Sequence, residues 1–174
     1  MIPVFFDMKL MMKIQHLFIL FLVTRCVNPQ VLTPIPSLVS STEVVDLEFE
    51  SAVKQAHDSL EMFIAHFMSP GPGQSFVALK VHVTYEDGFS EDVWFDTLKY
   101  KEGEFYGMIS DASPHGRTLR PGKFVLLPEK DIIDWMVVED GKMIGGYTIR
   151  LAYQRMSADE KQRFINSLDF SIEP

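Results

Sequence analysis

Residues 76–109 read FVALKVHVTYEDGFSEDVWFDTLKYKEGEFYGMI. Val77, Leu79, Val81, Val83 and Tyr85 alternate with Ala78, Lys80, His82 and Thr84, the two-residue period of a half-buried strand. Glu86-Asp87-Gly88 then supplies a turn, a second alternating run covers 92–100, and Lys101-Glu102-Gly103 separates it from a third over 104–109. Strands that arrive consecutively through tight turns predict an antiparallel meander.

Downstream, a polar loop over 110–120 leads to Pro121-Gly122 and a short strand at 123–127. Residues 134–138 run through Glu139-Asp140-Gly141 into 142–145, which predicts one more paired hairpin. The spacing then becomes helical, with Ile149, Ala152, Tyr153 and Met156 on one face, and Ser157-Ala158-Asp159-Glu160 matches a capping box opening a last helix. Upstream, Val53, Ala56, Leu60, Phe63, Ile64 and Phe67 fall at three-and-four spacing over 48–68, until Ser69-Pro70-Gly71-Pro72-Gly73 stops the helix. The expected class is α+β: an antiparallel sheet or small partly open barrel of about five to six short strands, with an N-terminal helix and two C-terminal helices.

Residues 1–25 read as an export-type signal segment. Lys9 and Lys13 precede an unbroken apolar run at 17–23 (LFILFLV), far shorter than the roughly 20 residues that span a bilayer. A start at Met8 would remove Asp7, which suits a basic n-region poorly. Cys26 directly after the run resembles the lipidation site of a bacterial lipoprotein, whereas Arg25 is bulkier than the small residue usual before that cysteine. Lipidation at Cys26, an unlipidated signal and a non-exported helix all remain open readings. Residues 26–47, with three prolines and several Ser and Thr, read as a flexible tether, and 48–170 as the folded domain.

Beyond the leader the chain holds 13 basic and 23 acidic residues, a net charge of −10. Such a surface repels phosphate backbones, and no basic stripe offsets it, so nucleic acid is not an expected partner. One cysteine cannot close an intramolecular disulfide, leaving burial to hold the fold, with 14 Phe, 10 Met and 2 Trp available for it.

The stretch Asp134-Trp135-Met136, then Gly141, then Gly145-Gly146-Tyr147-Thr148-Ile149-Arg150 resembles the YegJ-like bacterial family catalogued as domain of unknown function 2314. Phe76, Lys80-Val81, Glu91, Trp94 and Pro121-Gly122 agree in kind, so the resemblance covers roughly 48–164. It implies a small α+β domain, found alone or behind an export signal, and brings no activity, substrate or catalytic residue.

Gly145 and Gly146 before a helix, with Arg150 one turn in, form a candidate anion site, because helix N-termini present free N–H groups. The same glycines serve equally as a strand-to-helix junction that needs positive φ and close backbone approach. Glu129, Asp131, Asp134, Glu139 and Asp140 crowd one region without EF-hand spacing, and Asp134 alternatively orders the turn ahead of Trp135. His57 and His66 are about two and a half turns apart and share a helix face poorly. No metal, no cofactor and no catalytic residue is expected, since no G-x-S-x-G, H-E-x-x-H or paired-cysteine signature occurs. Trp94, Trp135 and Tyr147, with Phe105, line either a recognition groove or the core.

The leading expectation is a non-catalytic binding or accessory module anchored at or exported to the bacterial cell envelope, with an unknown protein or small ligand as partner and membrane association through the N-terminal segment. The alternatives are a cytoplasmic location, an enzyme of unfamiliar type using Asp134 or Glu91 with Arg150 or His115 in a cleft, and a small anion or metabolite sensor around Gly145, Gly146 and Arg150.

Overall fold

A computed structural model describes residues 46–108 and 122–172. The export-type segment with Met8 and Cys26, most of the tether, His115 and Pro121 lie outside the described residues.

The helical stripe over 48–68 folds as two helices, α1 (Leu47–Asp58) and α2 (Leu60–Met68). The interruption at Ser59 was invisible in the pattern, because Ala52, Ala56, Leu60 and Phe63 keep one buried face running straight through it. A polar cause explains it: the Ala56 carbonyl accepts the Trp135 indole N–H at 3.1 Å, and the Ser59 hydroxyl turns back onto the Gln55 carbonyl at 2.7 Å. Side-chain hydroxyls that bond their own helix carbonyls compete with the regular ladder.

The strands are β1 (Gln74–Thr84), β2 (Ser90–Phe95), β3 (Thr97–Lys101), β4 (Glu104–Met108), β5 (Phe124–Leu127), β6 (Ile132–Glu139) and β7 (Lys142–Gly145). They form two open antiparallel sheets, one of order β2-β1-β6-β7 and one of order β3-β4-β5. The run at 92–100, expected as one strand, is therefore two, and the described strands number seven rather than five to six. Asp96 is the corner where the chain leaves one sheet for the other. Its effect is a change of parity: Val93 and Phe95 face the first core before it, Leu98 and Tyr100 after it.

A 3-10 turn at Glu129–Asp131 precedes β6, and α3 (Tyr147–Arg155) and α4 (Ala158–Ser167) complete the order, giving the α+β class with two C-terminal helices. The capping box on α4 is present, with the Ser157 N–H donating to Glu160 Oε2 at 2.8 Å. The larger sheet is covered on both faces. On one, α1, α2 and the smaller sheet bury Phe63, Leu79, Phe95, Phe105 and Trp135. On the other, α3 and α4 bury Phe76, Trp94, Met136, Ile149 and Phe164. Double coverage explains why β6 is buried along nearly its whole length and why β1 is buried on both faces at its centre, where alternation alone predicted half-burial.

Candidate functional site

Asp134 stands on the central strand β6, fully buried at 0% exposure, opposite Lys80 on β1, which in turn stands opposite Trp94 on β2. An ionised carboxylate in such a place must be hydrogen-bonded. Its Oδ1 accepts the backbone N–H of Trp135 at 2.8 Å and of Tyr147 at 3.0 Å, and its Oδ2 accepts the Thr148 N–H at 2.8 Å and the Thr148 hydroxyl at 2.7 Å. Burial pushes the Asp134 carboxyl above its ordinary range, and the Thr148 and Trp135 hydrogen bonds oppose that shift.

The Tyr147 and Thr148 donors open α3. The first N–H groups of a helix lack intrahelical partners, and a residue just outside the helix usually caps them. Here the preceding residue is Gly146, with no side chain to offer, and the cap arrives from another strand. Gly145 and Gly146 have φ of +73° and +66°, and a Cβ on Gly145 would meet the Trp135 carbonyl oxygen at 2.5 Å. Both the left-handed backbone and the close approach thus require glycine. The N–H groups at the candidate anion site are accordingly taken by the chain itself, that of Gly146 by the Trp135 carbonyl at 2.7 Å and those of Tyr147 and Thr148 by the Asp134 carboxylate.

Arg150 does not point its guanidinium at that terminus. Its Nε donates to the Gly145 carbonyl at 2.9 Å and its Nη2 to the Met143 carbonyl at 2.8 Å, tying α3 to the β7 edge.

From Asp134 a polar row runs outward. The Lys80 ammonium, on a residue 7% exposed, reaches the Thr148 hydroxyl at 3.4 Å and lies 3.7 Å from Asp92 Oδ2, and Asp92 Oδ1 is 2.9 Å from His82 Nδ1. Glu91 belongs to the opposite face of the same sheet, where it accepts a hydrogen bond from the Tyr85 hydroxyl. Asp134 and Glu91 are thus separated by the sheet rather than gathered in a cleft. Among the described residues no group of His, Cys, Asp and Glu is arranged to hold a metal ion, so the acidic stretch at 129–140 does not converge.

The three aromatic candidates do not share a surface. Trp135 is fully buried on the α1 side, its indole N–H donating to the Ala56 carbonyl and, at 3.2 Å, to the Ser59 hydroxyl. Tyr147 stands edge-on to it with ring centroids 5.9 Å apart, and its hydroxyl is 2.8 Å from that of Ser59. Trp94 is buried on the α4 side. Tight cores on both faces consumed the aromatic face that alternation had left ambiguous.

What the sequence did not indicate is a cleft of about 410 Å³ where α1 and α3 lie antiparallel, lined by Leu47, Ser51, Ala52, Gln55, Leu151 and Gln154 together with Glu48, Tyr147 and Arg150. Arg155 closes one end: its guanidinium holds Asp46 through two bonds of 2.7 Å and Glu48 Oε2 at 2.6 Å. The Ser59–Tyr147 hydroxyl pair closes the other. The positions on each helix fit one face, 147, 150, 151 and 154 on α3 and 47, 51 and 55 on α1, but only the antiparallel pairing makes them a site. Among the described residues no helix is long and apolar enough to cross a membrane.

Residues 46–171 match the model of a family described as uncharacterized protein conserved in bacteria, DUF2314. The chain is similar to the uncharacterized protein YegJ of Escherichia coli K12, with 31% identity over 112 residues, covering 63% of this chain and 71% of the relative. It is also similar to a putative ankyrin repeat protein of Neisseria meningitidis serogroup B, with 31% identity over 77 residues, 44% of this chain and 30% of that one. No solved structure matches.

Proposed function

This chain belongs to the bacterial family DUF2314, and on that premise we propose that its domain is a non-catalytic binding module, held at the cell envelope by its N-terminal segment and using the cleft between α1 and α3. The observation that carries the reading is how the reactive-looking side chains are used. Asp134 spends both carboxylate oxygens on four hydrogen bonds, three of them from the first two residues of α3, and Arg150 spends its fork on two carbonyls of the β7 edge. A general acid or base needs a proton position within reach of a substrate, and Asp134 is sealed from the cleft by the backbone that it caps. The cleft has a volume ordinary for ligand sites and a mixed apolar and polar lining, the combination that binding without chemistry requires. Placement at the envelope rests on residues 1–26: the basic start, the apolar run and Cys26.

Two measurements test the two halves. Intact mass and membrane fractionation of the chain expressed from Met8, beside Cys26→Ala, should give a mature mass beginning at diacylated Cys26 and a variant that leaves the membrane fraction. A soluble, uncleaved, unmodified chain would remove the envelope from the reading. A photo-crosslinking residue at exposed Gln154 should give a discrete adduct in cells that disappears when Ser51→Trp fills the cleft; an unchanged adduct pattern would remove the cleft.

A further inference from the structure

Resting on the reading of the α1–α3 cleft as the binding site, we propose that it takes an uncharged stretch of extended peptide about three to four residues long. Length comes first. The lining on α1 runs from Leu47 to Gln55, a rise of about 12 Å at 1.5 Å per helical residue. An extended chain advances roughly 3.3–3.6 Å per residue, so about three to four residues fill it.

Charge comes second. The domain is acidic, yet the charges at and beside the cleft cancel: Asp46 and Glu48 are held by Arg155, and Arg150 is turned onto the Met143 and Gly145 carbonyls. Two carboxylates and two guanidinium groups leave no net charge at the seam, so a charged ligand would lose hydration there with no excess of opposite charge to compensate it. The ligand that fits is neutral.

The polar lining then selects among neutral ligands. Ser51 and Gln55 on α1 and Gln154 on α3 are exposed and face each other across the seam. Each glutamine amide carries a donor and an acceptor, the same pair that a peptide unit repeats along its backbone. Between them Leu47, Ala52 and Leu151 offer aliphatic surface, and Leu47 is 71% exposed at the mouth, where apolar side chains of the peptide would cover it. The aromatic ring in the lining, Tyr147, is T-shaped against Trp135 and bonded through its hydroxyl to Ser59, so it is committed to the core beneath the seam, and among the described residues no second ring stands with it to sandwich a sugar. The cleft therefore favours peptide over carbohydrate.

The test uses the full chain, in detergent where it fractionates with membranes, and N-acetylated, C-amidated tetrapeptides of Ala, Val, Leu and Ser as probes, with matched tetrapeptides carrying one Glu or Lys, and neutral oligosaccharides. Uncharged tetrapeptides should bind with Kd on the order of 10–1000 μM, as befits so small a contact. Charged versions should bind at least tenfold more weakly, and Ser51→Trp should abolish binding with little change in melting temperature. Should Ser51→Trp fail to fold, Gln154→Trp, exposed on the other wall, carries the same test. Equal affinity for charged and uncharged probes, or peptide binding that survives both substitutions, overturns the peptide assignment. Oligosaccharide binding blocked by Ser51→Trp overturns the peptide class while leaving a binding cleft. Failure of every probe together with loss of the Gln154 crosslink brings down the cleft itself, whereas failure of the probes with the crosslink intact brings down only the peptide.

Discussion

Two aspartates each begin a helix, and they do it in opposite ways. Asp46 caps α1 from the adjacent position, its Oδ1 accepting the Phe49 N–H at 3.1 Å, and stands in solvent with Arg155 holding its carboxylate well down, to about 2. Asp134 caps α3 from the middle of a sheet, 13 and 14 residues away in sequence, with no exposure and a carboxyl that burial pushes up. As a cap the first is a local device whose hydrogen bond any good capping residue could supply, while its carboxylate also meets Arg155 in solvent. The second is a tertiary lock that joins β6, the β7–α3 corner and the start of α3 through one side chain, and it places Tyr147 and Arg150 on their wall of the cleft.

If that contrast is right, Asp134→Ala has the largest effect of any single change. It leaves the Trp135 and Thr148 N–H groups buried, and that of Tyr147 half-buried, without their acceptor, and orphaned buried donors cost about 1–3 kcal/mol each before any relaxation. We expect a loss of about 3–5 kcal/mol in urea unfolding; a loss below about 1 kcal/mol would break the comparison outright. Gly145→Ala comes next. A Cβ at φ +73° pressing on the Trp135 carbonyl combines backbone strain with a clash, about 2–3 kcal/mol together, read from the same denaturation curves. Tyr147→Phe sharpens the picture at smaller cost: it removes the bond to Ser59 but keeps the ring on Trp135, and should cost about 0.5–1.5 kcal/mol, with α3 otherwise intact by amide exchange.

How much of this could be read from the chain follows the same division between local and tertiary. The Ser157–Glu160 box, the hairpin turns and the helical stripes are local patterns, and all of them stand in the fold. The corner at Asp96 was legible as well, in the shift of apolar parity from Val93 and Phe95 to Leu98 and Tyr100, but an alternating run invites reading as one strand. The junction role of Gly145 and Gly146 was legible from glycine alone; the turn expected between Asp134 and Trp135 is instead continuous strand, with the Trp135 N–H donating to the Asp134 carboxylate inside β6. That Asp134 also begins α3 was not legible, because its donors lie across a hairpin. Nor was the cleft, since helices 100 residues apart share no sequence signal for their pairing.

The smallest effect separates the two aspartates by sign. A carboxylate held low in the folded state contributes stability that is whole above its unfolded value, near 3.8, and is lost as pH falls through about 2. Arg155→Ala should therefore remove that contribution at neutral pH and with it the acid-side loss confined to the window, both small because the clamp is exposed and screened by salt. Asp134 runs the other way. With a folded value raised above 3.8, its ionised form burdens the native state at neutral pH, and its contribution improves as pH falls through the raised value toward 3.8. Asp134→Asn should flatten the stability profile above pH 3.8 and leave the acid-side loss untouched. Arg155→Ala should do the reverse, and moderate salt should weaken only the contribution that Arg155→Ala removes. A profile in which both substitutions flatten the same window would mean that the two aspartates titrate as one unit, and the division between a local cap and a tertiary lock would have to be given up.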